Sequence, residues 1–183
     1  MGSDILILGN PLLREKSEPV LDFNDEDNMA DFSRLKAALE DFRKKNGFGR
    51  GIAGIQIGIK KRVIALNLGE GPFVIANPEI IERSASTFTM WDDCMSFPDL
   101  LVRVERNKSV SITYQDEKGT KREWKGIEQD KAELLQHEID HLDGIMAVDR
   151  AITPTDIVYR SEFDRNISTY NQMVDYVITP TIS

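Results

Sequence analysis

The segment Leu134–Gly144, which reads LLQHEIDHLDG, constrains this chain more than any other stretch. On an α-helix, His137 and His141 lie one turn apart and project from the same face, so both imidazoles can bind one metal ion. Glu138 lies between them, where its carboxylate can take a proton from metal-bound water without itself binding the ion. The chain has no other histidine. The pattern predicts a hydrolytic metal site, and a chance HxxxH on an ordinary amphipathic helix is the less favoured interpretation.

Length and composition favour a single globular domain spanning residues 1–183. With 40% hydrophobic and 30% charged residues, the chain can bury a core without covalent cross-links. Cys94 is its only cysteine, which excludes an internal disulfide and agrees with a reducing compartment. The net charge of -8 argues against general binding to nucleic acid or to an anionic membrane. No apolar run is long enough to cross a bilayer or resembles a signal peptide, so we expect a cytoplasmic protein with a small or peptidic partner.

Periodicity and turn signals predict both helices and strands. Apolar residues at helical spacing predict a surface helix over about 28–45, and the metal helix is expected from about Asp130, with Asp130 as its cap. A first strand is expected at Ile5–Leu8, and a last helix over about 155–177. The other expected strands are Arg62–Leu66, Phe73–Ala76 closed by Asn77-Pro78, Ile80–Thr89, Val102–Val104, and an antiparallel hairpin of Val110–Tyr114 with Arg122–Trp124.

The glycine-rich stretch Gly49–Gly54 formally matches the dinucleotide fingerprint GxGxxG. That fingerprint needs a strand before it and a helix after it, whereas here a helix precedes and the Arg62–Leu66 strand follows, so we reject NAD binding. The glycines indicate instead a close approach of the backbone to another group. Gln56 follows them with an amide that can both donate and accept, although an ordinary surface glutamine is the commoner case.

Two histidines leave the metal short of a third ligand, and that ligand decides between hydrolase classes. A metzincin would have a histidine at position 147, where this chain has Ala147. The nearest candidate for a downstream glutamate ligand is Glu162, whose aromatic neighbours favour the solvated face of a helix. Cys94 remains, although a lone cysteine is usually a small buried hydrophobe. A thiolate with two imidazoles leaves one position open for water, as in catalytic zinc sites.

Three motifs, in this order along the chain, resemble those of the peptide deformylase family. They are Gly49–Gln56 (GRGIAGIQ), Asp92–Ser96 (DDCMS) and Gln136–Leu142 (QHEIDHL), against the family forms GxGxAAxQ, EGCLS and QHExDHL. The resemblance covers roughly the first 150 residues. It implies an α+β fold in which antiparallel β-sheets surround a central metal-binding HExxH helix.

The resemblance also implies a role for each matched residue. Glu138 would deprotonate the attacking water and later protonate the leaving amine, while Gln56 and the backbone N–H of Met95 would donate to the oxyanion. The expected reaction is hydrolysis of the N-formyl group of N-formylmethionyl peptides, with release of formate. One divalent ion is implied, with Fe2+ expected first and Zn2+, Ni2+ or Co2+ able to replace it. Its ligands would be Cys94, His137 and His141.

Three departures from the family motifs lie near the expected substrate. Asp92 and Asp93 replace Glu and Gly of the second motif, and Asp is a low-cost replacement if that glycine has a positive φ. Glu133 lies one turn before the first histidine, where we expect the wall for the substrate's first side chain, together with Gly51 and Ile52. A methionine side chain needs an apolar wall. Glu133 therefore either turns to solvent, which we favour, or lines a pocket for a polar or cationic group.

Two alternatives to a peptide deformylase stay open. One is a deformylase-like amidase that acts on another formyl or short-acyl amide, and the other is a catalytically idle relative that binds metal or a peptide. The presence of the whole set of site residues argues against the idle relative, but the sequence does not separate the two enzymes. The acidic residues after Thr155 do not support docking on the ribosome, for which bacterial deformylases are thought to use basic tails.

Overall fold

A computed structural model of the protein describes residues 4–179 as two antiparallel sheets and one long buried helix. The strands are β1 (Gly51–Ala53), β2 (Val63–Asn67), β3 (Pro72–Arg83), β4 (Thr87–Asp92), β5 (Leu100–Asn107), β6 (Val110–Gln115), β7 (Lys121–Ile127) and β8 (Ile157–Tyr159). One sheet has the strand order β1-β2-β3-β6-β7 and the other has the order β4-β5-β8. This arrangement confirms the expected α+β fold.

The first helix, α1 (Glu26–Asn46), confirms the helix predicted over about 28–45. The carboxylate of Asp25 caps it by accepting the N–H of Asn28, and Gly47 ends it in the left-handed conformation at φ 77°. Its apolar face packs on the five-stranded sheet in one core cluster. Neither α1 nor any other helix within residues 4–179 is long and apolar enough to cross a membrane.

The second helix, α2 (Gln129–Leu142), carries the HEIDH sequence. Its N-cap is Glu128, with no side-chain capping bond, so the expected cap at Asp130 is wrong and that residue lies in the first turn. Every residue from Ala132 to Leu142 is buried. The apolar residues of α2 join the main core with side chains of the five-stranded sheet. The polar ones must therefore find partners inside the protein.

The strands follow the predictions except around Asn77-Pro78 and along Ile80–Thr89. The hairpin of β6 and β7 is confirmed, but β3 does not close at Asn77-Pro78. Asn77, at φ 50°, lies in a register shift, and its amide both accepts from the N–H and donates to the C=O of Val20, each at 2.8 Å. The expected strand Ile80–Thr89 is instead divided between β3 and β4, which belong to different sheets.

The expected first strand at Ile5–Leu8 is absent from the described structure. The N–H of Leu6 donates to the C=O of Gln56 and the N–H of Leu8 to the C=O of Ser96, each at 2.7 Å. Because the two bonds go to different segments, no strand ladder forms. The N-terminal segment instead ties together the backbones of two residues near the predicted site.

The last helix expected over about 155–177 is also wrong. The segment forms β8 and then two short helices, α3 (Arg160–Arg165) and α4 (Ile167–Asn171). Asn166, at φ -129° and ψ 32°, separates the helices, and its N–H donates to the C=O of Phe163. After α4 the chain returns to β4, where Tyr176 forms a parallel bridge with Met90. Tertiary pairing with β4 and β5 has overridden the helical spacing of the aromatic residues.

Candidate metal centre

The fold brings together the side chains of Cys94, His137 and His141. All three are buried, and their donor atoms lie within 4.8 Å of one another. Cys94 Sγ is 3.3 Å from His141 Nε2, which is 3.1 Å from His137 Nε2. Helix α2 supplies the two imidazoles from successive turns, and Cys94 follows the end of β4. Within residues 4–179 this is the one cluster of three such groups close enough to hold an ion.

Two of the three donor separations are close to those expected around a tetrahedral ion. Metal bonds of about 2.0–2.1 Å to nitrogen and about 2.3 Å to sulfur would place tetrahedral donors roughly 3.3–3.6 Å apart. The donor separations of 3.1 and 3.3 Å lie close to that range. The N–H of Ser96 points at Cys94 Sγ at 3.4 Å, a contact that favours the thiolate. Glu162 takes no part, because its carboxylate accepts from Asn166 at the surface.

A buried chain of charged side chains holds the first histidine in place. Asp92 Oδ2 lies 2.9 Å from His137 Nδ1, which leaves Nε2 for the metal. Arg106 donates to Asp92 at 3.1 Å and to Asp140 at 2.5 Å, and Asp140 also accepts from Arg150. Burial alone would raise the pKa of Asp92, but the neighbouring His137 and Arg106 lower that pKa to about 2. Asp92 is therefore a permanent anion behind the imidazole.

Glu138 is buried beside the cluster, and its Oε2 has no hydrogen-bond partner among the described residues. Burial raises the pKa of Glu138 to about 7, with Asp92 and Glu133 adding to the effect of burial and His137 opposing it. A carboxyl group with a pKa near neutrality can accept a proton and return it. The unpartnered Oε2 of Glu138 is the atom that could exchange this proton.

The glycine motif approaches this carboxyl group closely, as the sequence indicated. A Cβ atom on Gly51 would lie 2.9 Å from Glu138 Oε1 and 3.1 Å from Leu134 Cδ1. The next residue, Ile52, is fully buried in the core between α1 and the sheet, so its side chain lies away from the site. Of the two predicted substrate contacts in this motif, the structure places only Gly51 at the site.

Gln56 is held with its amide nitrogen towards the thiol. Its Oε1 accepts the N–H of Ala53 at 2.9 Å, and its Nε2 donates to Ser96 Oγ at 3.1 Å and lies 3.5 Å from Cys94 Sγ. These contacts fix the orientation of the amide, so an N–H faces the cluster. Met95 lines the same cavity.

A cavity of about 650 Å³ is lined by Cys94 and His137 of the cluster and also by Glu133. The prediction that Glu133 turns to solvent is wrong, because Arg50 of the glycine motif forms an ion pair with it. Only 3% of the Glu133 side chain and 14% of the Arg50 side chain are exposed. Arg50 also donates to the C=O of Asp130 at 2.6 Å. Burial raises the pKa of Glu133 to about 7, and the opposing effect of Arg50 is smaller.

Asp93, the other acidic departure, lies at the edge of the cavity. Among the described non-glycine residues only Asn77 has a positive φ, so the explanation based on a strained glycine does not apply to Asp93. Its carboxylate instead accepts from Arg160 at 2.9 Å. The extra negative charge is therefore neutralised by a residue of α3.

Comparison with known proteins agrees with this geometry. A sequence model described as polypeptide deformylase matches residues 3–156. The chain belongs to the peptide deformylase family. The peptide deformylase of Heliobacterium modesticaldum is 40% identical over 149 residues, which cover 80% of this chain and 92% of that protein. The one from Thermotoga petrophila is 35% identical over 146 residues, covering 80% and 85%.

The solved structures give the same result for the fold. The crystal structure of the peptide deformylase from Thermotoga maritima matches with a TM-score of 0.75 at 33% identity. The match covers 84% of this chain and 99% of that one. The one from Legionella pneumophila matches with a TM-score of 0.74 at 30% identity, covering 92% and 95%. Membership of the deformylase family and the Cys-His-His donor set together support a site for a divalent metal ion.

Several side chains of this deformylase site gave no signal in the sequence. Arg106 lies on β5, 34 residues before Asp140, and nothing near it in the sequence indicates that it neutralises two buried carboxylates. Arg50 was visible only as a variable position inside the glycine motif, 83 residues from its partner Glu133. In the sequence, the only indication of a neighbouring cation was Glu133, an acidic residue on the metal-facing side of α2.

Proposed function

We propose that this protein hydrolyses the N-formyl group of N-formylmethionyl peptides, giving formate and a free amino terminus. The observation that carries the proposal is the unpartnered Oε2 of Glu138 beside the buried Cys-His-His cluster. The relatives named peptide deformylase support the same reaction class. The chemistry needs a base next to a metal site, and a formyl group is small enough to enter beside a glycine.

For the metal we propose Fe2+, with Zn2+, Ni2+ or Co2+ able to take its place. A divalent ion held by Cys94, His137 and His141 would polarise the formyl carbonyl and lower the pKa of water at the site. A thiolate donor with two imidazoles suits borderline-soft ions of this kind better than Mg2+ or Ca2+. The Asp92 carboxylate behind His137 would strengthen that imidazole as a ligand.

Each of four residues of the protein has a separate role in the reaction. Glu138 takes the proton of the attacking water and returns it to the leaving nitrogen. Gln56 and the backbone N–H of Met95 donate to the formyl oxygen as it becomes negative, and each such donor contributes about 2.7–4 kcal/mol to the transition state. Gly51 leaves room beside Glu138 for the substrate backbone.

The wall proposed for the substrate's first side chain is partly charged, whereas a methionine side chain needs an apolar one. It consists of Leu134 together with the buried Arg50–Glu133 ion pair. The two charges compensate each other, so methionine can still bind, but without the full benefit of an apolar wall. This observation favours one alternative, an amidase acting on formyl peptides whose first side chain is polar or cationic.

The test is formate release from formyl-Met-Ala-Ser by Ni2+-loaded wild type and Glu138→Ala. We expect wild-type turnover of about 1 per second or faster, in the usual range for enzymes, and a loss of about 10²–10⁴-fold in the variant at equal metal content. Glu128→Ala, which removes an exposed carboxylate at the start of the same helix, is the matched control and should keep full activity.

Two results would redirect the proposal. If metal-loaded wild type released no formate from formyl-Met-Ala-Ser but did so from formyl peptides beginning with Lys or Arg, the alternative amidase would be the correct reading. If it released none from any formyl peptide, deformylation would be refuted, leaving an amidase for another short-acyl amide or a catalytically idle relative.

A further inference from the structure

The cavity of the metal site extends well past its ligands, and the C-terminal part of the chain forms one side of it. The family match ends at residue 156, whereas residues 163–178 contribute much of the lining. We call residues 163–178 the C-terminal wall. Its lining side chains include Phe163, Ile167, Val174, Tyr176 and Val177.

The C-terminal wall is firmly attached to β4, the strand that leads into Cys94. The Asp175 carboxylate accepts from the backbone N–H of Thr89 at 2.9 Å and from its hydroxyl at 2.8 Å. The indole N–H of Trp91 donates to the C=O of Tyr170 at 2.8 Å. Three aromatic side chains, from Trp91, Phe163 and Tyr170, pack with ring centroids 5.3–5.8 Å apart. The wall therefore has a fixed position relative to the metal ligands.

The outer part of the cavity carries partly exposed apolar side chains beside the Asp93–Arg160 ion pair and the polar Asp164 and Asn171. Ile167 and Val177 of the wall are 52% and 50% exposed, and Phe48, which lines the same cavity, is 39% exposed. We expect a peptide whose formyl group reaches the cluster to continue outwards through this part of the cavity. Partly exposed apolar side chains that line a cavity continuous with a reactive site are suited to binding the substrate.

We propose that the C-terminal wall binds the second and third residues of the peptide substrate and favours apolar side chains there. The inference rests on the proposed function for the identity of the substrate. Ile167 and Val177 are the specificity-determining residues, because each has about half of its surface available for a partner. They act at a distance from the reacting atoms, so they contribute to binding and not to the chemical step.

The experiment compares Ile167→Ser/Val177→Ser with wild type on two substrates, formyl-Met-Leu-Tyr and formyl-Met-Gly-Gly. We expect kcat/KM to fall about tenfold on the apolar substrate, mainly through KM, and to change less than twofold on the glycine substrate. Tenfold corresponds to about 1.4 kcal/mol. Met173→Ser is the matched control, since Met173 belongs to the same segment, is 41% exposed and does not line the cavity.

A second readout keeps this proposal separate from the proposed function. Calorimetric titration with the product peptide Met-Leu-Tyr should show the same tenfold weaker binding in the double variant, whether or not formate is released. Equal losses on both substrates, no loss on either, or an equal loss in Met173→Ser would overturn the role of the wall. A wild-type dimer that the double variant converts to monomer in sedimentation would also overturn it, because the wall would then be a self-association surface.

Discussion

Replacing Glu133 alone should destabilise the protein far more than replacing Glu133 together with Arg50. Removing one partner of a buried ion pair typically costs about 3–5 kcal/mol, whereas replacing both by apolar residues is often neutral or stabilising by about 1–4 kcal/mol. In Glu133→Leu the guanidinium keeps its bond to the C=O of Asp130 and 14% exposure. We therefore expect a loss below that range, of about 2–3 kcal/mol, and a change near zero for Arg50→Met/Glu133→Leu.

The assay is urea unfolding at pH 7.5 with every variant loaded with the same metal. The matched control is the surface pair of Lys60 and Glu15, also at hydrogen-bonding distance but with side chains 53% and 46% exposed. Glu15→Leu should change stability by less than about 1 kcal/mol. The reasoning is refuted if Glu133→Leu costs no more than Glu15→Leu, or if the loss in the double variant equals the sum of the two single losses.

The same double variant tests the wall proposed for the first side chain. Arg50→Met/Glu133→Leu makes that wall apolar, so KM for formyl-Met-Ala-Ser should fall several-fold while kcat stays unchanged. Glu133→Leu alone is a poor test, because it leaves Arg50 without its carboxylate partner in the cavity. An unchanged KM in the folded double variant would remove the ion pair from the substrate pocket.

Three further predictions follow from single side chains. Gly51→Ala should lower kcat by about tenfold or more, because the new Cβ would lie 2.9 Å from Glu138 Oε1 and displace that carboxylate. Circular dichroism should show that the fold is retained. Arg106→Met removes one cation from two buried carboxylates but leaves Asp92 with His137 and Asp140 with Arg150, so it should cost about 3 kcal/mol in urea unfolding, the lower end of the range for a broken buried ion pair, with Arg122→Met as the exposed control. Burial raises the pKa of Glu133 from 4.5 to about 7, so the folded state binds a proton more tightly than the unfolded state. The contribution of Glu133 to stability should therefore fall as pH rises from about 4.5 to 7, and stability measured for Glu133→Gln relative to wild type should rise over that range.

The metal site was predictable from sequence because its residues lie in short motifs with fixed local geometry. The one-turn spacing of His137 and His141 needs only a helix, and the close approach at Gly51 needs only a glycine. The groups that support the site come from the tertiary structure. Arg106 reaches Asp92 and Asp140 across the fold, so no local pattern predicts those ion pairs.

The errors in the predicted elements have the same physical origin. The C-terminal aromatics do recur at helical spacing, but Tyr170 packs on Trp91 from a short helix, and the following residues pair with β4. Ile5–Leu8 has the composition of a strand, yet its N–H groups bond to two different segments. In both cases long-range hydrogen bonds decided between conformations that local sequence left close in energy.

Strand β4 explains why the C-terminal wall and the metal site belong to one functional unit. Successive side chains of a strand point to opposite faces, so Asp92 and Trp91 face different neighbours. Asp92 orients His137 from one face, while Trp91 packs against the aromatic side chains of the C-terminal wall on the other. A register slip of one residue would exchange these faces and disrupt both sets of contacts. The bonds of Thr89 to Asp175 oppose such a slip, and thereby fix the wall and the ligand-bearing end of β4 in one register.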